Sequence, residues 1–194
     1  MTLLSPLGDI HKIGIYGNIE NKAESNLLEI SEEISKSIYQ ITKFKNSDSP
    51  LTNLSIRDLE ISNNPMIVKS NLKMRILWTG PNQWLIVSDD KILEDELKIF
   101  DSNNFAVTDL SHTRAIISVK GENSLEVLKK GCPYNFNNLK KNMSINSVYH
   151  SIAVTIDFIE ENPYKMRIMC LRSFGESLYH SITDASLEYG YKAI

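Results

Sequence analysis

The stretch from Met74 to Ser88, MRILWTGPNQWLIVS, constrains the fold of this chain more than any other. Two apolar runs flank Gly80-Pro81-Asn82-Gln83, with proline at the second turn position and asparagine at the third, where a positive φ is tolerated. That chemistry specifies a β-hairpin. Pairing Thr79 with Trp84 places Leu77, Trp84 and Ile86 on one face, and Ile76, Trp78, Leu85 and Val87 on the other. A hairpin apolar on both faces is either central to its fold or covered by a partner.

The segments around it supply a pattern of strands and helices. Ile10 to Gly17 is a short strand closed by glycine. Leu27, Ile30, Ile34, Ile38 and Ile41 then recur at three-and-four spacing, which predicts an amphipathic helix of about five turns. Lys45 to Asn71 is rich in Asn, Ser, Asp and Pro and reads as a long surface loop, with room for a short element in LSIRDLEI. After the hairpin, Ser88 and Asp89 are placed to cap a helix over Lys91 to Phe100, and Phe105 to Leu110 is a strand. Strand, helix, strand, strand, helix, strand is the ferredoxin-like order.

The second half repeats it. TRAIISV is a strand, and GENSLEVLKKGCP is a helix stopped at Gly131. SIAVTIDFI and KMRIMCL form the next strand pair. Ser173 and Glu176 stand in capping-box spacing ahead of a helix striped by Phe174, Leu178, Ile182, Ala185 and Tyr189. YKAI closes the order as a last strand. The expectation is one α+β domain over 1–194, built from two tandem ferredoxin-like βαββαβ halves at about 8–111 and 112–194.

Composition narrows the function. A chain of 194 residues buries roughly 70% of its unfolded surface and needs no disulfide or metal to hold a core. Its net charge of −3, without a basic stripe interleaved with aromatics, argues against nucleic acid. Cys132 and Cys170 lie far apart and read as buried, inert thiols. The N-terminal MTLLSPLGDIHK lacks a secretory pattern, and no apolar run approaches the length of a membrane span. A cytoplasmic protein is expected.

VTDLSHTRA, Val107 to Ala115, holds Asp109, Ser111 and His112, the three side-chain types of a hydrolytic triad. In a continuous strand Asp109 and Ser111 share one face and His112 the other, and no Gly-flanked elbow exposes the serine. A strand junction whose polar side chains satisfy turn backbone is the better reading. His11, His112, His150 and His180 make no i, i+4 pair, and Gly14 and Gly17 lack dinucleotide or Walker spacing. Arg114 and Arg172 each sit at a strand edge beside a turn, where a guanidinium holds a carboxylate in the fold or across an interface. No catalytic, cofactor or metal site is therefore expected in the chain.

Taken together, ILWTGPNQWLIV, VTDLSHTRAIISVKG, LKKGCPYNF and LRSFGESLYHSITDASLEYG resemble the gamma subunit of heterotetrameric sarcosine oxidase, in order and spacing from about Met74 to Gly190. That family is similar in fold to the folate-binding aminomethyltransferases. Their folate sites carry a glycine-rich segment with an acidic pair, and the corresponding hairpin here, Ser151 to Cys170, has no paired glycines and no acidic pair in that context. The resemblance implies a subunit without chemistry of its own, in an assembly with alpha, beta and delta subunits. FAD, FMN, NAD and tetrahydrofolate would belong to those companions, which would oxidise the N-methyl group of sarcosine. The corresponding subunit of N-methylglutamate dehydrogenase, or a stand-alone folate-binding aminomethyltransferase-like protein, are the alternatives. Trp78, Trp84, His112, Arg114 and Arg172 are the candidate partner contacts.

Overall fold

The computed structural model describes residues 5–52 and 54–194. The first four residues of the N-terminal stretch and Asn53 of the expected loop lie outside them. In chain order the elements are β1 (Gly14–Tyr16), β2 (Leu28–Glu32), β3 (Ser37–Lys43), β4 (Ser55–Ile56), β5 (Leu59–Glu60), β6 (Val68–Ser70), β7 (Met74–Gly80), β8 (Gln83–Ser88), α1 (Glu94–Leu97), β9 (Phe105–Asp109), β10 (Arg114–Lys120), α2 (Ser124–Gly131), β11 (Met143–Tyr149), β12 (Ile152–Glu161), β13 (Tyr164–Leu171), α3 (Gly175–Ser186) and β14 (Tyr191–Ala193). They pack into two compact units. Among the described residues, one, the hairpin unit, is Ser35–His112 with Asn142–Ser144; the other, the helix-backed unit, is 5–34 with Thr113–Lys141 and Ile145–Ile194.

The five-helical-turn segment expected across Leu27 to Ile41 is not a helix. It is β2 and β3, broken at Ser35, whose φ of 63° ends the first strand. Four of the five stripe residues are isoleucine, a β-branched side chain that loses rotamer freedom in a helix and packs well on a pleated surface. The break also divides the strands between units: β2 joins the helix-backed sheet and β3 the hairpin sheet. The first half, expected from about residue 8, thus takes its first strand from β3.

The hairpin unit is a five-stranded antiparallel sheet in the order β6-β7-β8-β3-β9. Leaving out the edge strand β6, the order is second, third, first, fourth, which is the ferredoxin-like sheet. Its first helix is absent among the described residues. Within the expected loop, Lys45 to Asn71, the short element allowed in LSIRDLEI is the β4–β5 hairpin, but the segment is not all surface: Ile56, Leu59 and Ile61 are buried against Ile41, Met74, Ile76, Trp84 and Ile86 of the sheet. Its second helix is α1 alone, one turn rather than Lys91 to Phe100, while Ile92 and Phe100 on either side still reach the core. The opposite face of the sheet carries Ile38, Leu77, Leu85 and Val87, all buried as well.

The central hairpin forms as expected, with Asn82 at φ 59°, but in a different register. Trp78 pairs with Trp84 and Gly80 with Gln83, leaving Thr79 as a bulge. A slip of one position moves every side chain of one strand to the other face. Ile76 and Trp78 accordingly join Trp84 and Ile86 on the core side, and Leu77 does not.

The helix-backed unit is a seven-stranded sheet ordered β1-β14-β2-β10-β13-β12-β11. Its expected strands and helices are all present, and β11 is added. β2 is wedged between β14, to which it runs parallel, and β10, to which it runs antiparallel. Without β2 the order would be β14-β10-β13-β12, again ferredoxin-like. α2 and α3 pack on each other and on β13, α3 also on β10, burying Val127, Leu128, Leu178 and Ile182. Close packing explains two glycines. A Cβ on Gly131 would lie 2.7 Å from the Tyr149 ring, and one on Gly175 would lie 2.8 Å from the Ala115 methyl. Gly131 is the last residue of α2 rather than a left-handed stop beyond it. The Ser173–Glu176 capping box does not form, because Ser173 lies in a 3-10 turn, Arg172–Phe174, that leads into α3.

Candidate interface site

The Asp-Leu-Ser-His stretch is a structural turn at the end of β9. The Ser111 hydroxyl and backbone N–H both donate to Asp109 Oδ1, at 2.6 and 2.8 Å. The same Ser111 Oγ accepts from the Ile38 N–H at 2.9 Å, and Leu110 N donates to the Ile38 carbonyl at 2.8 Å. Partial burial pulls the Asp109 carboxyl upward, yet the Ser111 bonds, with nearby His112 and Tyr39, hold it below its ordinary value. Asp109 and Ser111 are thus committed to fixing where β9 leaves β3. His112 is exposed beyond them.

The two tryptophans part company. Trp84 is 1% exposed in the core, and its Nε1 donates to the Ser62 carbonyl at 2.7 Å, so it presents nothing to a partner. That corrects its place among the candidate contacts. Trp78, directly across the strand pair, is half-buried, and its indole N–H is buried with no acceptor among the described residues. Strand position separates the pair: β8 runs between β7 and β3, whereas β6 pairs β7 only from Arg75 to Leu77 and stops short of Trp78.

Arg114 and Arg172, 58 positions apart in sequence, meet at one end of the helix-backed sheet. Antiparallel pairing sets Arg114 opposite Leu171, and the Arg172 N–H donates to the Thr113 carbonyl at 2.8 Å. Ala115 faces α3, where it meets Gly175, so the flanking Arg114 and its partner Leu171 point to the other face. Arg114 is half-buried, and its side chain makes no hydrogen bond or ion pair with any described residue. Loss of hydration lowers its pKa from the ordinary guanidinium value, with only the Cys170 thiol acting in the other direction. Beside it Leu171 is 49% exposed and Phe174, three residues on, 47% exposed. Sequence reasoning missed both. Phe174 was read as the first residue of a buried helical stripe; the 3-10 turn takes it out of that register, whereas Leu178, Ile182 and Ala185 are buried as expected.

Several other titratable groups have structural partners. His11 lies 2.8 Å from the Tyr179 hydroxyl and 3.0 Å from the Ile194 carbonyl. His180 faces Glu176 at 3.9 Å on an exposed helix face. Burial pushes the Cys170 thiol up to about 11, which makes it a poor nucleophile. Inside the helix-backed sheet, Arg167 binds Glu33 through Nε at 2.9 Å and Nη2 at 2.6 Å, with the fully buried Asp157 at 3.8 Å. No three His, Cys, Asp or Glu side chains among the described residues gather as metal ligands, and no helix among them is long and apolar enough to cross a membrane.

No protein-family model and no curated protein sequence matches the chain. Solved structures do. The heterotetrameric sarcosine oxidase from Corynebacterium sp. U-96, solved with pyrrole 2-carboxylate, contains a chain similar over 95% of this one and 95% of its own, at TM-score 0.79 and 19% identity. The glycine cleavage system aminomethyltransferase T from Bartonella henselae is similar over 94% of this chain but 50% of its own, at TM-score 0.56 and 11% identity. This chain therefore spans about half the length of that second protein. At these identities the likeness is one of fold: a mixed α+β, strand-dominated, aminomethyltransferase-like fold.

Proposed function

We propose that this chain is a non-catalytic structural subunit of a sarcosine oxidase-type oxidoreductase complex. The observation that carries the reading is the mutual 95% coverage with a chain of a heterotetrameric sarcosine oxidase. The sequence stretches that resemble the gamma subunit point to the same reading. The use of Asp109 and Ser111 as turn partners fits a chain whose polar residues serve structure. In this reading the chain is cytoplasmic and binds companions of the alpha, beta and delta type. FAD, FMN, NAD and tetrahydrofolate then lie on those companions, which demethylate sarcosine oxidatively to glycine and a one-carbon unit. Trp78, His112, Arg114 and Arg172 are its candidate contacts.

The test is the native mass and absorption spectrum of what co-purifies with the chain from its source cells. A large flavin-coloured assembly with three companion chains is expected. A colourless species near 22.1 kDa would overturn the reading. The same preparation separates the subunit of an N-methylglutamate dehydrogenase, by its preference for N-methylglutamate over sarcosine. Likeness in fold to an aminomethyltransferase also motivates the stand-alone reading, which requires tetrahydrofolate to bind the isolated chain.

A further inference from the structure

A cation that has lost part of its hydration without gaining an anion is unfavourable, and proteins pair such groups. Arg114 is in that state: half-buried, on the sheet face away from α3, with no carboxylate among the described residues bound to it. Glu33, on the neighbouring strand segment, is bound to Arg167. Leu171, directly opposite Arg114 across the strand pair, and Phe174 after the 3-10 turn expose about half of their surface at the same sheet end. Arginine flanked by aromatic and aliphatic side chains is the composition of an interface centre, and its planar fork matches a carboxylate.

We propose that Arg114, Leu171 and Phe174 form a docking spot for a companion-chain segment presenting one Asp or Glu carboxylate beside an apolar side chain. The proposal rests on the subunit reading above and specifies the chemistry of one contact within it. The carboxylate takes the guanidinium fork, and the apolar side chain covers Leu171 and Phe174.

The experiment uses the full chain in its native assembly. A benzophenone amino acid placed at position 174 is expected to cross-link a companion peptide containing Asp or Glu within a few residues of the adduct. Arg114→Glu is expected to weaken the chain's affinity for the rest of the assembly by roughly 30-fold or more. Changing the identified companion acid to Lys should restore it. Unchanged circular dichroism and a still-protected Cys170 establish that the variant folds. An Arg114→Glu chain that assembles within about twofold of the parent would overturn the proposal and leave the subunit reading standing. So would a cross-link to a second copy of this chain, or none. A parent chain that purifies alone would overturn both.

Discussion

In the helix-backed unit, α2 and α3 lay Val127, Leu128, Leu178 and Ile182 over one sheet face. In the hairpin unit the same office falls to Ile56, Leu59 and Ile61 of an extended segment, helped by Ile92 and Phe100 around a one-turn α1. Both sheets keep the ferredoxin-like order of their principal strands. Strand order therefore follows from which apolar strands pair, and the cover needs only apolar side chains at the right height. What helices provide for free, the satisfaction of their own backbone groups, the extended cover must find elsewhere. Arg57 ties that cover to the segment around α1. At a two-residue turn with φ of 47° and 63°, it forks onto Glu96 at 2.6 and 2.9 Å and reaches Ser88 Oγ and the Lys91 carbonyl. Asn71 Nδ2 returns a bond to the Arg57 carbonyl at 3.0 Å.

This contrast can be measured, because both tryptophans lie in the hairpin unit while α2 and α3 lie in the other. Tryptophan fluorescence reports the first and helical circular dichroism chiefly the second. Trp84→Ala should lower stability by about 3–5 kcal/mol in urea titrations and shift the fluorescence transition most. A shift confined to the helical signal would break the assignment of Trp84 to that core. Arg167→Met should have a comparable effect on the helical signal, about 3–5 kcal/mol, because Glu33 and Asp157 lose the Arg167 guanidinium. Equal stability of parent and variant would mean that the cluster is dispensable.

Gly131→Ala should lose about 1–3 kcal/mol by forcing a methyl against Tyr149, with Ser124→Ala on the same helix free of that clash as a comparison. Glu96→Gln should have the smallest effect, with a marked pH signature. The Arg57 bond, followed by the Leu93 N–H, holds Glu96 at about 2 against an ordinary 4.5. A depressed carboxylate contributes fully above the unfolded value and loses that contribution as pH falls through the folded one. Since both side chains are partly solvated, the difference is about 1 kcal/mol near neutrality, and parent and variant should converge as pH approaches 2. A gap that widens in acid would contradict the pairing.

The helix-backed unit was largely legible because its strands alternate or run apolar between clear turns, and its helices carry regular stripes. Val154, Ile156 and Phe158 are buried as the alternation of β12 requires. The hairpin unit was harder to read. Its β3 lies inside the sheet with both faces covered, so Ile38 and Ile41 point to opposite sides and are both buried. Joined to β2, that spacing imitates a helix. Isoleucine content was the signal against it. At the candidate site, Arg114 and Arg172 were legible as strand-edge arginines, but their meeting depends on the β10–β13 register, and the exposure of Phe174 depends on a 3-10 turn that no spacing announces.

The wedge of β2 between β14 and β10 also sets a timetable for synthesis. β2 leaves the ribosome early, yet its parallel neighbour is residues 191–193 and its antiparallel neighbour residues 117–120. Until β10 arrives, the strand of Leu28 and Ile30, which end at 1% and 0% exposure, is unpaired, and until β14 arrives one of its edges stays open. The hairpin unit, contiguous apart from three residues, has nearly everything it needs by His112. One unit can therefore fold while the chain is still growing, whereas the other must hold its second strand in waiting until the last one emerges.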